Sequence, residues 1–162
     1  MSPPSTPSIA DQNPDAPPRD TTGRAAWMST LARAQPAQLA DLMPELPAHQ
    51  LLRAPEIGAI MVQGRMGASG AAFNLGEMTV TRCSVRLQGG AVGHSCVQGR
   101  DKDHATRAAL ADALMQTEAA PQVEAGIIAP LRKASDQRRQ IRAEKAAATK
   151  VEFFTLQRGE DQ

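Results

Sequence analysis

The chain has 162 residues, enough for one domain whose folding buries about 70% of the unfolded surface. Eighteen Lys and Arg stand against seventeen Asp and Glu, with three His, so bulk charge gives no argument for non-specific nucleic-acid binding. Only Trp27, Phe73, Phe153 and Phe154 are aromatic, which counts against a base-stacking RNA platform, and no apolar run approaches the roughly eighteen residues of a membrane span.

The opening MSPPSTPSIADQNPDAPPRD holds six of the twelve prolines and no hydrophobic stretch. It predicts a disordered tail over residues 1–20 rather than a signal peptide, followed by a single domain over 21–162. Two cysteines without an export signal fit a reducing cytoplasm. Next, TTGRAAWMSTLARA places Trp27, Leu31 and Ala34 at helical spacing, and Asp20, Thr21 and Thr22 are candidate N-caps. Pro36 suits the first turn of a short second helix carrying Leu39, Leu42, Met43 and Leu46, which Pro44 and Pro47 end.

From His49 the texture changes to strands. HQLLRAP and IGAIMVQGR read as two short runs separated by Pro55. GRMGASG follows, then the long run AAFNLGEMTVTRCSVRLQ. Gly89-Gly90 signals a two-residue hairpin with AVGHSCVQG as its return strand. Asp101 then caps a helix from about Lys102 to Thr117. PQVEAGIIAPLRK reads as a helix broken or ended by Pro130, and Ser135 or Asp136 as the cap of a very polar helix after it. TKVEFFTLQRG closes the chain as a strand. The expected fold class is α+β: a mainly antiparallel sheet, a meander with a Gly-Gly hairpin, flanked by N-terminal and C-terminal helices.

GRMGASG invites a nucleotide-loop reading. It lacks the Gly-Lys-Ser/Thr ending of a P-loop and leads into a strand, so a hairpin turn is the plainer reading, with Arg65 still able to face a phosphate. A two-residue turn at Gly89-Gly90 would pair Leu87 with Val92, Val85 with His94 and Cys83 with Cys96. Side chains alternate across a sheet, so Cys83, His94 and Cys96 would share one face, and Arg82, Ser84 and Arg86 the other. The cysteine pair, with Cα atoms about 4.5 Å apart, would suit a disulfide or a metal. No fourth ligand is visible, and two small core residues are the plainer reading. An arginine pair on one strand face is ordinarily solvated, but guanidinium forks also match phosphate and phosphonate oxygens.

The junction QGRDKDHATR brings Arg100, Lys102 and His104 to a helix start, where partial positive charge attracts anions. Asp101 and Asp103 already supply negative charge to that turn. A helix terminus contributes about 0.3–2 kcal/mol, against roughly 8 kcal/mol for micromolar binding. A phosphate there would need further contacts, from another chain for example. No nucleophile–base pair or paired carboxylates form a recognisable catalytic motif, so no catalytic residue and no metal site is assigned.

Several phrases together resemble the PhnG family of the bacterial carbon–phosphorus lyase system: WMSTLARA, GRMGASGAAFNLGEMTVTRCSVRL, VQGRDKDHATRAALADALMQ, IIAPL and AAATKVEFFTLQRGE. The resemblance covers Arg24 to Glu160. It departs around His94 and Cys96, where the family usually carries aromatic residues, which argues against shared chemistry there.

The resemblance implies a cytoplasmic core-complex subunit with PhnI, PhnH, PhnJ and PhnL partners. With PhnI, PhnH and PhnL it would take part in transferring ribosyl triphosphate from MgATP to alkylphosphonate, displacing adenine. A PhnJ radical step then breaks the carbon–phosphorus bond. The nucleosidase chemistry belongs to PhnI in that picture. This chain would bind no cofactor, with MgATP the substrate of the complex, and would touch neither nucleic acid nor membrane. Arg65, Arg82, Arg86, Arg100, Lys102 and His104 are the candidate phosphate or partner contacts. The alternative is a purely structural assembly subunit with no substrate contact.

Overall fold

Alanine decides how the middle of the molecule is built. In ATRAALADAL the small side chains recur on every side of a helix, so neighbours can approach it from all directions. The computed structural model describes residues 23–149. The residue 1–20 segment, the N-cap candidates Asp20, Thr21 and Thr22, and all but the first residue of TKVEFFTLQRG lie outside the described residues.

That helix, α3, spans Lys102–Leu114, ending short of Thr117. Asp101 caps it, its side chain accepting from the His104 backbone N–H at 2.8 Å. His104, Ala105 and everything from Ala108 to Ala113 are buried. On one side α3 packs against a sheet. On the other it meets the helices α1 (Arg24–Ala32) and α2 (Pro36–Leu42). Leu31, Leu39, Leu110, Ile128 and Leu131 fill the space between them. Pro36 opens α2 as expected, and the helix stops before Pro44, since a residue preceding proline disfavours helical geometry.

The sheet has three antiparallel strands in the order β1 (His49–Arg65), β2 (Ala72–Leu87), β3 (Val92–Gln98). The two runs expected on either side of Pro55 are one strand. The ladder slips between Leu51 and Arg53 and again between Arg53 and Glu56, leaving Ala54 and Pro55 without partners. A proline lacking an N–H is tolerated at such a bulge on an edge strand. Thr81, Cys83, Val85 and Leu87 point toward α3 and are buried. The layers come very close at Gly93. A Cβ there would lie 2.0 Å from the Ala109 carbonyl oxygen and 2.5 Å from the Ala113 nitrogen, so no other residue fits without moving the helix.

The C-terminal helical run differs from expectation. α4 (Ala120–Val123), a π-helical turn (Glu124–Ile128) and α5 (Ala129–Ala148) follow one another without a break. Pro130 does not end the helix, and Ser135 and Asp136 cap nothing. A proline inside a helix removes one hydrogen bond and collides with the carbonyl four residues back. The wider π turn immediately upstream falls where that carbonyl sits and relieves both problems.

One side chain joins three of these elements. Asp112 of α3 is wholly buried. Its Oδ1 accepts from Arg24 Nε at 3.1 Å and from Trp27 Nε1 at 2.9 Å. Its Oδ2 accepts from an Arg24 guanidinium nitrogen at 2.6 Å and from the His94 backbone N–H at 2.9 Å. A buried carboxylate is tolerable only when paired and hydrogen-bonded, and here four bonds satisfy it. Asp112→Ala strands the Trp27 and His94 donors, each costing about 1–3 kcal/mol when buried and unmade. The variant is expected to lose at least 3 kcal/mol, or about that, in urea unfolding followed by the fluorescence of Trp27. A loss below about 1 kcal/mol would show that the network is not what holds α1.

Candidate functional site

The six basic residues expected at a phosphate or partner surface do not converge. Arg65 ends β1 at the tip of the β1–β2 hairpin, donating to the Gly70 carbonyl at 3.3 Å. GRMGASG is therefore a hairpin tip, built on a short 3-10 turn at Met66–Ala68. Arg82 lies on the sheet face away from α3 and crosses over Gly58, 3.3 Å from where a Cβ would sit. Arg86 lines a shallow hollow of about 320 Å³ with His49 and Gln50. Lys102 lines another of about 460 Å³ beside the β1 bulge, with Pro55 and the Arg53–Glu56 ion pair. That pairing holds the Glu56 carboxyl below its ordinary range. Arg100 is exposed in the turn between β3 and α3.

His104 does not belong to this group. Its ring is buried, with Nε2 2.9 Å from the Leu31 carbonyl oxygen and Nδ1 without a partner. A carbonyl only accepts, so Nε2 carries the proton and donates. Burial lowers its pKa, against smaller opposing effects from Leu31 and Asp101. The imidazole is a neutral strut between α3 and the end of α1, out of reach of any phosphate.

The β2–β3 register also differs from the expected one. Leu87 N–H donates to the Ala91 carbonyl and Gly90 N–H to the Leu87 carbonyl, both at 2.9 Å. Three residues, Gln88 to Gly90, form the connection, and Gly90 takes φ +89°. The third residue of such a loop favours this left-handed conformation and hence glycine. The extra residue shifts every pair: Arg82 faces Cys96, Ser84 faces His94, Cys83 faces Ser95 and Val85 faces Gly93. A one-residue slip exchanges faces. Cys83 is thus in the core and Cys96 exposed on the opposite side, so neither the disulfide nor the Cys–Cys–His site can form. The open face carries Arg82, Ser84, Arg86, His94 and Cys96, with Ser84 Oγ 2.8 Å from His94 Nδ1. No group of three or more His, Cys, Asp or Glu side chains among the described residues could hold a metal.

Two features were not singled out from sequence. First, β3 pairs only with Val80–Arg86. Beyond that point β1 and β2 continue as a two-stranded arm, about 20 Å from Ala59 to Arg65 at about 3.4 Å per residue. Direct partners share a face, which places Ile60 with Met78, Val62 with Gly76 and Gly64 with Phe73 on the continuation of the open face. Leu75 lies against Gly64 there. Phe73 is 44% exposed and Leu75 66%. The signal was present as alternating apolar residues in IGAIMV, but its counterpart FNLGEM is interrupted by a bulge.

Second, α5, the α1–α2 linker and the end of β3 enclose an open cavity of about 610 Å³. Arg33, Arg138, Arg139 and Arg142 line it with Gln35, Gln98 and Ser135. The sequence signal was the spacing of Ser135, Arg138, Arg139 and Arg142, which is i, i+3, i+4, i+7 on one helix face. The expected break at Pro130 and fresh start at Ser135 detached that stripe from the core.

A family model described as phosphonate metabolism protein PhnG matches residues 22–159. The "Alpha-D-ribose 1-methylphosphonate 5-triphosphate synthase subunit PhnG" of Rhizobium meliloti (strain 1021) is similar to this chain. The two are 44% identical over 144 residues, covering 85% of this chain and 90% of the relative.

Two measurements check the geometry. His104 is held neutral in the fold but takes a proton freely when unfolded, so the unfolded state gains protons first on acidification. Its contribution is whole above the ordinary histidine value of 6.5 and is lost as pH falls below it, at up to about 1.4 kcal/mol per pH unit. Denaturant midpoints of the parent are expected to drop between that pH and about pH 5, before most carboxylates titrate; His104→Gln is expected to flatten the drop. A thiol reagent should label Cys96 alone in the native protein, because burial keeps the Cys83 thiol pKa raised. Labelling of both at equal rates would contradict the register.

Proposed function

This chain belongs to the PhnG family of phosphonate metabolism proteins, and from that premise we propose that it is a subunit of a synthase that joins alkylphosphonate to the ribosyl triphosphate of MgATP. A phosphonate oxygen bonds to C1 of the ribose, the glycosidic bond to adenine breaks, and adenine leaves with its electron pair. PhnI-, PhnH- and PhnL-type subunits act with this one in that step, and a PhnJ-type subunit acts on the product. MgATP is the substrate of the assembly, no cofactor is held by this chain, and the setting is the cytoplasm. No described helix is long and apolar enough to cross a membrane.

The observation that carries an assembly role is the β1–β2 arm. A two-stranded ribbon alone is marginally stable in water, and a contiguous exposed apolar surface marks an interaction site. Ile60, Val62, Phe73 and Leu75 form such a surface, and none of the described residues covers it. A partner subunit of the synthase is the occupant this reading assigns. Arg65 at the tip, and Arg82 and Arg86 on the same continuous face, lie within the area such a partner would cover. A truncated interfacial arginine paired with a carboxylate or phosphate costs about 2–5 kcal/mol of binding, far more than a solvated one.

The test is co-expression with the partner subunits. The double variant Phe73→Ser, Leu75→Asp alters exposed positions, so the isolated chain is expected to keep its stability within about 1 kcal/mol, twice the usual surface limit. Recovery of partners on the tagged chain is expected to fall at least tenfold, and adenine release from MgATP and methylphosphonate with it. Normal recovery by the variant would remove the arm from the interface.

A further inference from the structure

We infer that the arginine-lined cavity between α5, the α1–α2 linker and the end of β3 binds the triphosphate group of a nucleotide or ribosyl ester. The inference deepens the reading above and rests on it, since that synthase handles a 5-triphosphate. The physical case is local. Of four guanidinium groups around the cavity, only Arg139 has a carboxylate within 4.0 Å among the described residues: the exposed Asp136, at 3.7 Å.

Among the described residues, the other arginines are oriented by neutral atoms or find no partner. Arg138 donates to Gln38 Oε1 at 3.3 Å. Arg33 donates to Ser29, to its carbonyl at 3.1 Å and its hydroxyl at 2.7 Å. These contacts restrain the side chains without neutralising their charge. Arg142 makes no ion pair among the described residues. Elsewhere on the same helical run Arg132 does find an acidic partner, Glu124, at 3.1 Å. In a chain of formal net charge +1, this concentration of positive charge, largely without acidic partners among the described residues, is local rather than general.

The chemistry of the wall selects the ligand. All four cations are arginines, although Lys133 and Lys145 occupy other positions of α5. Planar guanidinium forks suit the paired oxygens of phosphate groups. The remaining polar groups, Gln35, Gln98 and Ser135, all bear donors. The volume falls within the roughly 300–1,000 Å³ of small-ligand sites. Ile141, 51% exposed at the rim, offers an apolar surface to the sugar or base.

The test titrates tripolyphosphate calorimetrically into the full-length chain, at fixed ionic strength set with chloride. Saturable binding is expected, with ATP competing for it. Arg138→Ala, Arg142→Ala should weaken it at least tenfold, while Arg132→Ala binds like the parent. Absence of saturable binding at millimolar tripolyphosphate would overturn the inference, as would unchanged affinity in the double variant or failure of ATP to compete. The same variants are co-expressed with the partner subunits. Failure of the parent to recover partners, with tripolyphosphate binding intact, would defeat the subunit reading and leave the site. A parent that binds no tripolyphosphate, with a double variant that loses its partners, would make the cavity a protein contact and overturn the inference.

Discussion

A single buried negative charge organises this protein. Asp112 has no access to water, and four donors from two separate stretches of chain reach its two oxygens. Removing water from a carboxylate costs several kcal/mol unless the lost hydration is replaced, so the donors must arrive together for α3 to pack at all. Arg24 and Trp27 bring α1, and the backbone of His94 brings β3. The stacking of α1 on α3 and the closure of the outer edge of β3 are one event. The contact also runs along an edge strand, where unpaired backbone groups would otherwise invite another chain.

Around that anchor, size matters more than hydrophobicity. α3 is covered on both sides, by the sheet and by the outer helices, and its alanines allow approach from each. Gly93 permits a very close contact, with the Ala109 carbonyl where a side chain would be. This explains how a chain with four aromatic residues builds a core: backbone comes near backbone, and leucine, isoleucine and valine fill what remains. It also explains why a group of exposed apolar side chains, Ile60, Met61, Met66, Phe73 and Leu75, gathers on the arm. The core is too thin to reach the distal halves of β1 and β2.

Much of the architecture was legible because the signals were local. Pro36, Asp101 and the run from Ala72 to Leu87 each fixed an element. Readings that depended on one residue more or less went astray. Gly89-Gly90 announced a turn correctly, but whether Gln88 belongs to strand or loop decides which face every residue of β3 takes. On that point the cysteine site dissolved, and Arg82 moved beside Cys96. Pro130 and Pro55 read as breaks because proline usually is one; a π turn upstream of the first and a bulge around the second absorb the defect. His104 looked like a surface cation because its neighbours are charged, and only the position of α1 shows that it is enclosed. The arginine stripe of α5 was periodic in the sequence, but its relation to Arg33 is a fact of three dimensions.

The uninterrupted passage through Pro130 has a mechanical consequence. Ile127, Ile128 and Leu131 are buried at the root of the C-terminal helix, while the residues from Asp136 to Thr149 are exposed or half-buried. The helix is therefore a rod clamped at one end, running about 25 Å from Leu131 to Ala148 at 1.5 Å per residue. A tilt of about 5° at the clamp would carry the far end by about 2 Å over that length. The arginines sit partway along and would move in proportion, changing their distance from Arg33 on the opposite wall. The width of the cavity is consequently set at the π turn, several residues away from any side chain that lines it.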